Sequence, residues 1–199
     1  MTTPPKTLTQ EESFKILNVL AQQPDTPIRR IKAIRNVTIV TLMLDAGLRV
    51  GEVIKLAWSD LYFGNDPVRA IEISDKISKS KKPRTIPVAQ RLYTTLVLYA
   101  EAIFIDEKRS ETPFAFTSTK TRFPLTVRQV ERIVAAASRS ALGRPVHPHI
   151  FRHTFATRLM RKTNAATVQA LLGHESLTST QIYMHPNGDD LKSAIDSIA

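Results

Sequence analysis

The chain has 199 residues, the size of one ordinary domain, and 42% of them are hydrophobic, enough for a single buried core. It has no cysteine, which excludes disulfides, thiolate nucleophiles and cysteine-ligated zinc or iron–sulfur sites, and no apolar run of the roughly 18 residues that would span a bilayer. With 28 Lys and Arg against 18 Asp and Glu, the net charge of +10 favours a polyanionic partner, nucleic acid before others. The opening MTTPPKTLTQEES lacks the charged-then-apolar pattern of a secretory signal, so a soluble, cytoplasmic protein is expected. Thr9 and Glu12 form a T-x-x-E capping box for a first helix that carries Phe14, Ile16, Leu17 and Leu20 and ends before Pro24. Pro27 opens a second helix to about Ala46, which Gly47 closes in a left-handed conformation. A short third helix follows, with Val50, Val53, Ile54 and Ala57 on one face and Arg49 beside Glu52 on its flank. Residues 69 to 77 and 84 to 88 read as the two strands of a β-hairpin with a lysine-rich tip. Helices are then expected at about 89 to 108, 126 to 141, 148 to 163 and 165 to 172, in a short segment ending near Tyr183, and from Asp189 onward. The fold class is mixed but mainly α, with helices around one small antiparallel sheet. No internal repeat or linker divides the chain, so residues 1 to 199 are expected to form one domain.

The last third of the sequence carries a set of residues suited to attack on a phosphodiester: His149 and Arg152 in PHIFRHTFATRLM, His174 in LLGHES, and Tyr183 in TSTQIYMH. Two upstream cations complete it, Arg49 in DAGLRVGEV and Lys79 in ISKSKKPRTIPV. A phosphodiester resists attack because its oxygens are negative and its leaving alkoxide is poor. A guanidinium stays charged and can hold two non-bridging oxygens, so Arg49 and Arg152 suit a clamp. A lysine on a hairpin tip can protonate the departing 5′ oxygen, the role given to Lys79. Histidine can take a tyrosine proton near neutral pH, and the i,i+3 spacing puts His149 and Arg152 on one helical face. Tyrosine conserves bond energy in an ester that a second hydroxyl can resolve, which makes Tyr183 the nucleophile. The cationic side chains supply the charge that magnesium provides elsewhere, so no metal or other cofactor is expected.

Taken together, Gly47-Leu-Arg49-x-x-Glu52, Ile77-x-Lys79-(x)4-Arg84-x-Ile86-Pro87, Pro148-His149-x-x-Arg152-His153, Leu171-Leu-Gly-His174 and Tyr183 resemble the tyrosine recombinase (phage integrase) family in order and spacing. The nine-residue step from His174 to Tyr183 and the Leu-Leu-Gly-His run are the most specific parts, and the resemblance extends from about Thr9 to Tyr183. It implies a helical catalytic domain that cleaves one DNA strand, forms a 3′-phosphotyrosyl link and is resolved by a 5′ hydroxyl from another strand. Carried over residue by residue, it makes Arg49, Lys79, His149, Arg152, His174 and Tyr183 the catalytic set, with Glu52 as an orienting partner. It also implies double-stranded DNA as partner, self-association as a dimer or tetramer on DNA, and room for an accessory DNA-binding protein. The N-terminal core-binding domain that many family members carry is expected to be absent.

Several residues admit plainer readings. His149 and His153 are spaced as a helical metal pair, but Ile150, Phe151 and Arg152 between them include no catalytic glutamate, and an arginine repels a cation. His153 is better read as a structural hydrogen-bonding residue. Arg29, Arg30, Lys32 and Arg35 cluster on the second helix, either tracking a DNA backbone or forming a solvated face. Leu191, Ile195 and Ile198 recur on one face of residues 188 to 199, a tail suited to dock on a neighbouring protomer or to fold back on its own domain. A type IB topoisomerase shares the chemistry but reseals the same strand, and a non-catalytic DNA-binding module would need no nucleophile.

Overall fold

The helix α2 (Pro27–Asp45) runs through the middle of the molecule, and every residue from Thr38 to Leu44 is buried. Its two interior threonines are tolerated because a hydroxyl can bond back along the helix, as Thr38 Oγ1 does to the Ile34 carbonyl at 2.8 Å. The computed structural model describes residues 6–22, 26–78, 82–104 and 112–173. Lys79, His174, Tyr183, the expected helix ending near Tyr183 and the expected tail helix lie outside those residues.

Around α2 the longer helices follow the sequence signals, while the short α4 has no counterpart among the expected elements. Helix α1 (Gln10–Ala21) starts on the reciprocal capping box, with Glu12 N donating to Thr9 Oγ1 and Thr9 N to Glu12 Oε2, both at 3.0 Å. It turns Ile16 and Leu20 inward. Further along come α3 (Val50–Val53), α4 (Trp58–Leu61), α5 (Gln90–Phe104), α6 (Val127–Leu142), α7 (Pro148–Met160) and α8 (Ala165–Leu172). Helix α6 begins on a second capping box, Thr126 with Gln129, and ends at Gly143. Proline at the first position opens both α2 and α7, where its missing N–H leaves no bond unmade.

The strands differ from expectation in number and length. There are two small antiparallel hairpins among the described residues: β1 (Tyr62–Phe63) with β2 (Asp66–Pro67), and β3 (Ala70–Ile73) with β4 (Arg84–Pro87). The first is not among the expected strands, although Gly64-Asn65 is a two-residue turn signal. In the second, Ala70 pairs with Pro87 and Ile73 with Arg84, so Ile71, Ile73 and Ile86 face the core while Glu72 and Thr85 face out. The strand expected through residue 77 stops at Ile73, because Ser78 N bonds back to the Ser74 carbonyl at 2.9 Å and closes a turn. Helix α3 is likewise shorter than its apolar pattern suggested. Ala57 has left it and pairs with Phe114 in an isolated bridge.

One main apolar cluster joins α1 through α7, with Phe151, Phe116, Tyr99 and Leu42 all essentially inaccessible. Trp58, Tyr99 and Phe116 stack in series at centroid distances of 5.4 and 5.6 Å, and the Tyr99 hydroxyl donates to the Ala115 carbonyl, so the aromatic column is fully satisfied. A small second cluster of Ala156, Val168 and Leu172 seats α8 on α7. The basic cluster of α2 is divided: Arg29, Arg30 and Lys32 are exposed, whereas Arg35 is buried and donates to the Thr117 carbonyl and Asn36 Oδ1. Arg35 therefore belongs to neither the solvated face nor a DNA-tracking one. No helix among the described residues is long and apolar enough to cross a membrane.

Candidate active site

The chain leaves α2 through Gly47 at φ +63, a left-handed conformation that L side chains adopt at a cost. A Cβ there would stand 2.4 Å from Phe155 Cδ1, so glycine is required by contact as well as by backbone. Two residues on, Arg49 caps α3 from outside its first turn. Glu52, at the third helical position, accepts from the Arg49 backbone N–H at 2.8 Å and from its Nη1 at 3.1 Å. Sequence spacing put these two side chains on one flank, and the geometry makes Glu52 the group that holds Arg49.

Glu52 has a second cationic partner. Arg84, the first residue of β4, forks onto it with Nη1 to Oε1 at 3.0 Å and Nη2 to Oε2 at 2.7 Å, and both side chains are almost wholly inaccessible. The Nε of Arg84 donates to the Leu171 carbonyl at 3.0 Å. Arg152, buried on α7, donates through Nη2 to the Leu172 carbonyl at 2.8 Å and through Nη1 to the Gly47 carbonyl. The last carbonyls of α8 have no partner within their own helix, and these two arginines satisfy them. The helix then closes at Gly173 with φ +62, where a Cβ would press on Arg84 Cδ at 3.0 Å. The turn that leads to His174 is thus anchored on the same arginines that surround Glu52.

Three guanidinium groups around one carboxylate leave an excess of two positive charges at this locus. Burial pushes the Glu52 carboxyl up, but the Arg84 fork and charge, the Arg49 backbone N–H and the charge of Arg152 together bring it below its ordinary value. Glu52 is therefore ionised, and the arginines are drawn together without being neutralised. Such a locus suits a phosphate whose charge builds during attack.

One helical turn before Arg152, His149 is exposed at the start of α7. Its ring stacks on His147 at a centroid distance of 5.2 Å and 19°. His147 is the N-cap: its Nδ1 accepts from the His149 backbone N–H, and its Nε2 lies 3.2 Å from Glu131 Oε1. His153 is half-buried and tilted against His149 at 6.5 Å. Desolvation first, then the neighbouring His149 and Arg152, lower its pKa, so it is disposed to stay neutral, as suits a structural residue.

Of the six residues singled out in the sequence, Arg49 and Arg152 meet around Glu52 and His149 lies a turn away, while Lys79, His174 and Tyr183 are outside the described residues. Two residues were missed as parts of the site. Arg84 lies in the Lys79-(x)4-Arg84 motif, but its partners are 32 and 87 residues away, so no local pattern assigned it a role. His147, directly before Pro148, carried a helix-start signal. Among the described residues no three His, Asp or Glu side chains gather as metal ligands would.

A mainly helical molecule with two small antiparallel hairpins among the described residues, with Arg49 and Arg84 bonded to one glutamate, defines the class of domain. The Phage integrase family model matches residues 6–189, and the chain belongs to that family. It is 34% identical over 197 residues to tyrosine recombinase XerA of Pyrococcus furiosus and 33% identical over 193 residues to tyrosine recombinase XerC of Bacillus pumilus. Those matches take in 96% and 94% of this chain but 61% and 59% of the relatives, so the chain spans about three fifths of the length of the curated relatives it matches. The crystal structure of XerA recombinase superposes with a TM-score of 0.76 at 25% identity, covering 98% of this chain and 64% of that one.

Proposed function

We propose that this chain is the catalytic domain of a tyrosine-type site-specific recombinase, cleaving and rejoining double-stranded DNA through a 3′-phosphotyrosyl link on Tyr183. The observation that carries the reading is Arg49 bonded to Glu52 beside the buried Arg152, whose charge also acts on that carboxylate, in a chain whose family match extends past Tyr183. Arg49 and Arg152 hold the non-bridging oxygens of the scissile phosphate. The Tyr183 hydroxyl attacks phosphorus as its proton passes to His149; the bond to the 5′ oxygen breaks, and Lys79 protonates that oxygen. His174 adds a donor to the phosphate as its charge builds. The products are a phosphotyrosyl ester and a 5′ hydroxyl, and attack by a 5′ hydroxyl from a second strand reverses the steps and frees the tyrosine. Cationic side chains carry the charge throughout, so no step calls for a metal ion.

Two sites and therefore at least two protomers must act together for strand exchange. Residues 188 to 199, whose sequence repeats Leu191, Ile195 and Ile198 at helical spacing, are assigned to protomer contact, and deleting them is expected to weaken cooperative assembly on DNA more than single-site binding in gel-shift titrations. Equal loss of both contradicts that assignment. The reaction itself is tested on a plasmid carrying two copies of the chain's own target site. Recombinant products are expected, and relaxation of the plasmid without strand exchange points instead to a topoisomerase.

A further inference from the structure

We infer that Arg84 is a positioning residue for the cleavage step: it holds and neutralises Glu52 so that Arg49 keeps its charge for the phosphate. The inference rests on the recombinase reading above. Glu52 is a hub with two claims on it, since Oε1 receives Nη1 of both Arg49 and Arg84, and Oε2 receives the Arg49 backbone N–H and Arg84 Nη2. The Arg84 contacts are the buried ones, both side chains being 4% exposed or less, while the Arg49 side chain is 22% exposed. A carboxylate left without Arg84 would keep Arg49 as its hydrogen-bonded guanidinium, while Arg152, which donates to the Gly47 and Leu172 carbonyls, acts on it through charge. The attraction between Glu52 and Arg49 would then draw the Arg49 guanidinium inward and spend its charge on Glu52. With Arg84 in place, one buried arginine balances Glu52, and the more exposed Arg49 keeps its longer 3.1 Å side-chain contact to Oε1.

The placement of Arg84 is over-determined, as a positioning residue requires. It sits opposite Ile73 in the β3–β4 ladder, its Nε is committed to the Leu171 carbonyl, and Gly173 packs on its stem. A planar fork reaching two oxygens and a carbonyl at once has no lysine equivalent.

The test measures covalent adduct formation on nicked suicide substrates with either an ordinary scissile phosphate or a methylphosphonate, whose methyl group replaces a charged non-bridging oxygen. R84Q is expected to slow adduct formation on the phosphate by about 10²-fold, the loss seen when one charge-stabilising donor is withdrawn, with DNA affinity little changed. On the methylphosphonate, which carries less charge for Arg49 to meet, the gap to wild type is expected to shrink at least tenfold. R84K is expected to fall between the two, and the double variant E52Q/R84Q, which removes the unbalanced carboxylate, to be faster than R84Q. Should R84Q not fold, the comparison of E52Q/R84Q and R84K with wild type on the two linkages carries the test. Equal losses on both linkages, or a double variant no faster than R84Q, overturn the inference and leave Arg84 a structural staple. A wild-type chain that forms no adduct at all overturns the recombinase reading, which is a different result.

Discussion

At the scale of the residue, the account turns on Glu52. Its folded-state pKa lies below the ordinary carboxyl value, so its contribution to stability is complete above the unfolded-state pKa and is lost as pH falls through the lower folded one. E52Q leaves Arg84 buried without its counter-charge, and unfolding by denaturant near neutral pH is expected to show a loss of about 3 kcal/mol. The gap to wild type should narrow as pH drops below the ordinary carboxylate range, where wild-type Glu52 also loses its charge. A gap that stays constant across that range contradicts the assignment of Glu52 as an ionised hub. The pairing of Arg49 with Glu52 was readable from their i,i+3 spacing. Arg84 was not, because its partners lie 32 and 87 residues away and no local pattern reports such a contact.

At the scale of the element, two helix ends set the site. The C-terminus of α2 delivers Arg49 through Gly47, and the C-terminus of α8 offers its carbonyls to Arg84 and Arg152. Gly47→Ala must adopt a left-handed backbone and displace the Phe155 ring, for an expected loss of about 3 kcal/mol in thermal or denaturant unfolding. A loss under about 1 kcal/mol would mean that the ring moves aside easily and that glycine is not required there. Helix starts and stops were the most legible features, since capping boxes, first-position prolines and terminal glycines act over a few residues. The strands were less so. Where residues 74 to 77 leave the ladder depends on a turn bond from Ser78, and where Ala57 leaves α3 depends on Phe114, more than 50 residues away.

At the scale of the whole molecule, the charge of +10 is distributed rather than uniform. Arg35 is part of the core, while Arg29, Arg30 and Lys32 lie on the surface of the same helix. If those three meet phosphates in the proposed DNA complex, replacing all of them by glutamine lowers the slope of log affinity against log salt by up to about 3. An unchanged slope assigns them to the solvated face. Of the candidate site, the neighbourhood of Arg49 and Glu52 and that of His149 and Arg152 were legible, because helical spacing reports which side chains share a flank. What that spacing could not convey is that buried arginines brace the site from behind, a property of packing alone. The central claim is that Tyr183 is the nucleophile. It is tested most directly by trapping the protein on a nicked suicide substrate and mapping the cross-linked peptide by mass spectrometry. The account predicts a 3′-phosphotyrosyl adduct on Tyr183 that disappears in Tyr183→Phe; an adduct that persists in that variant, or maps to another residue, contradicts it.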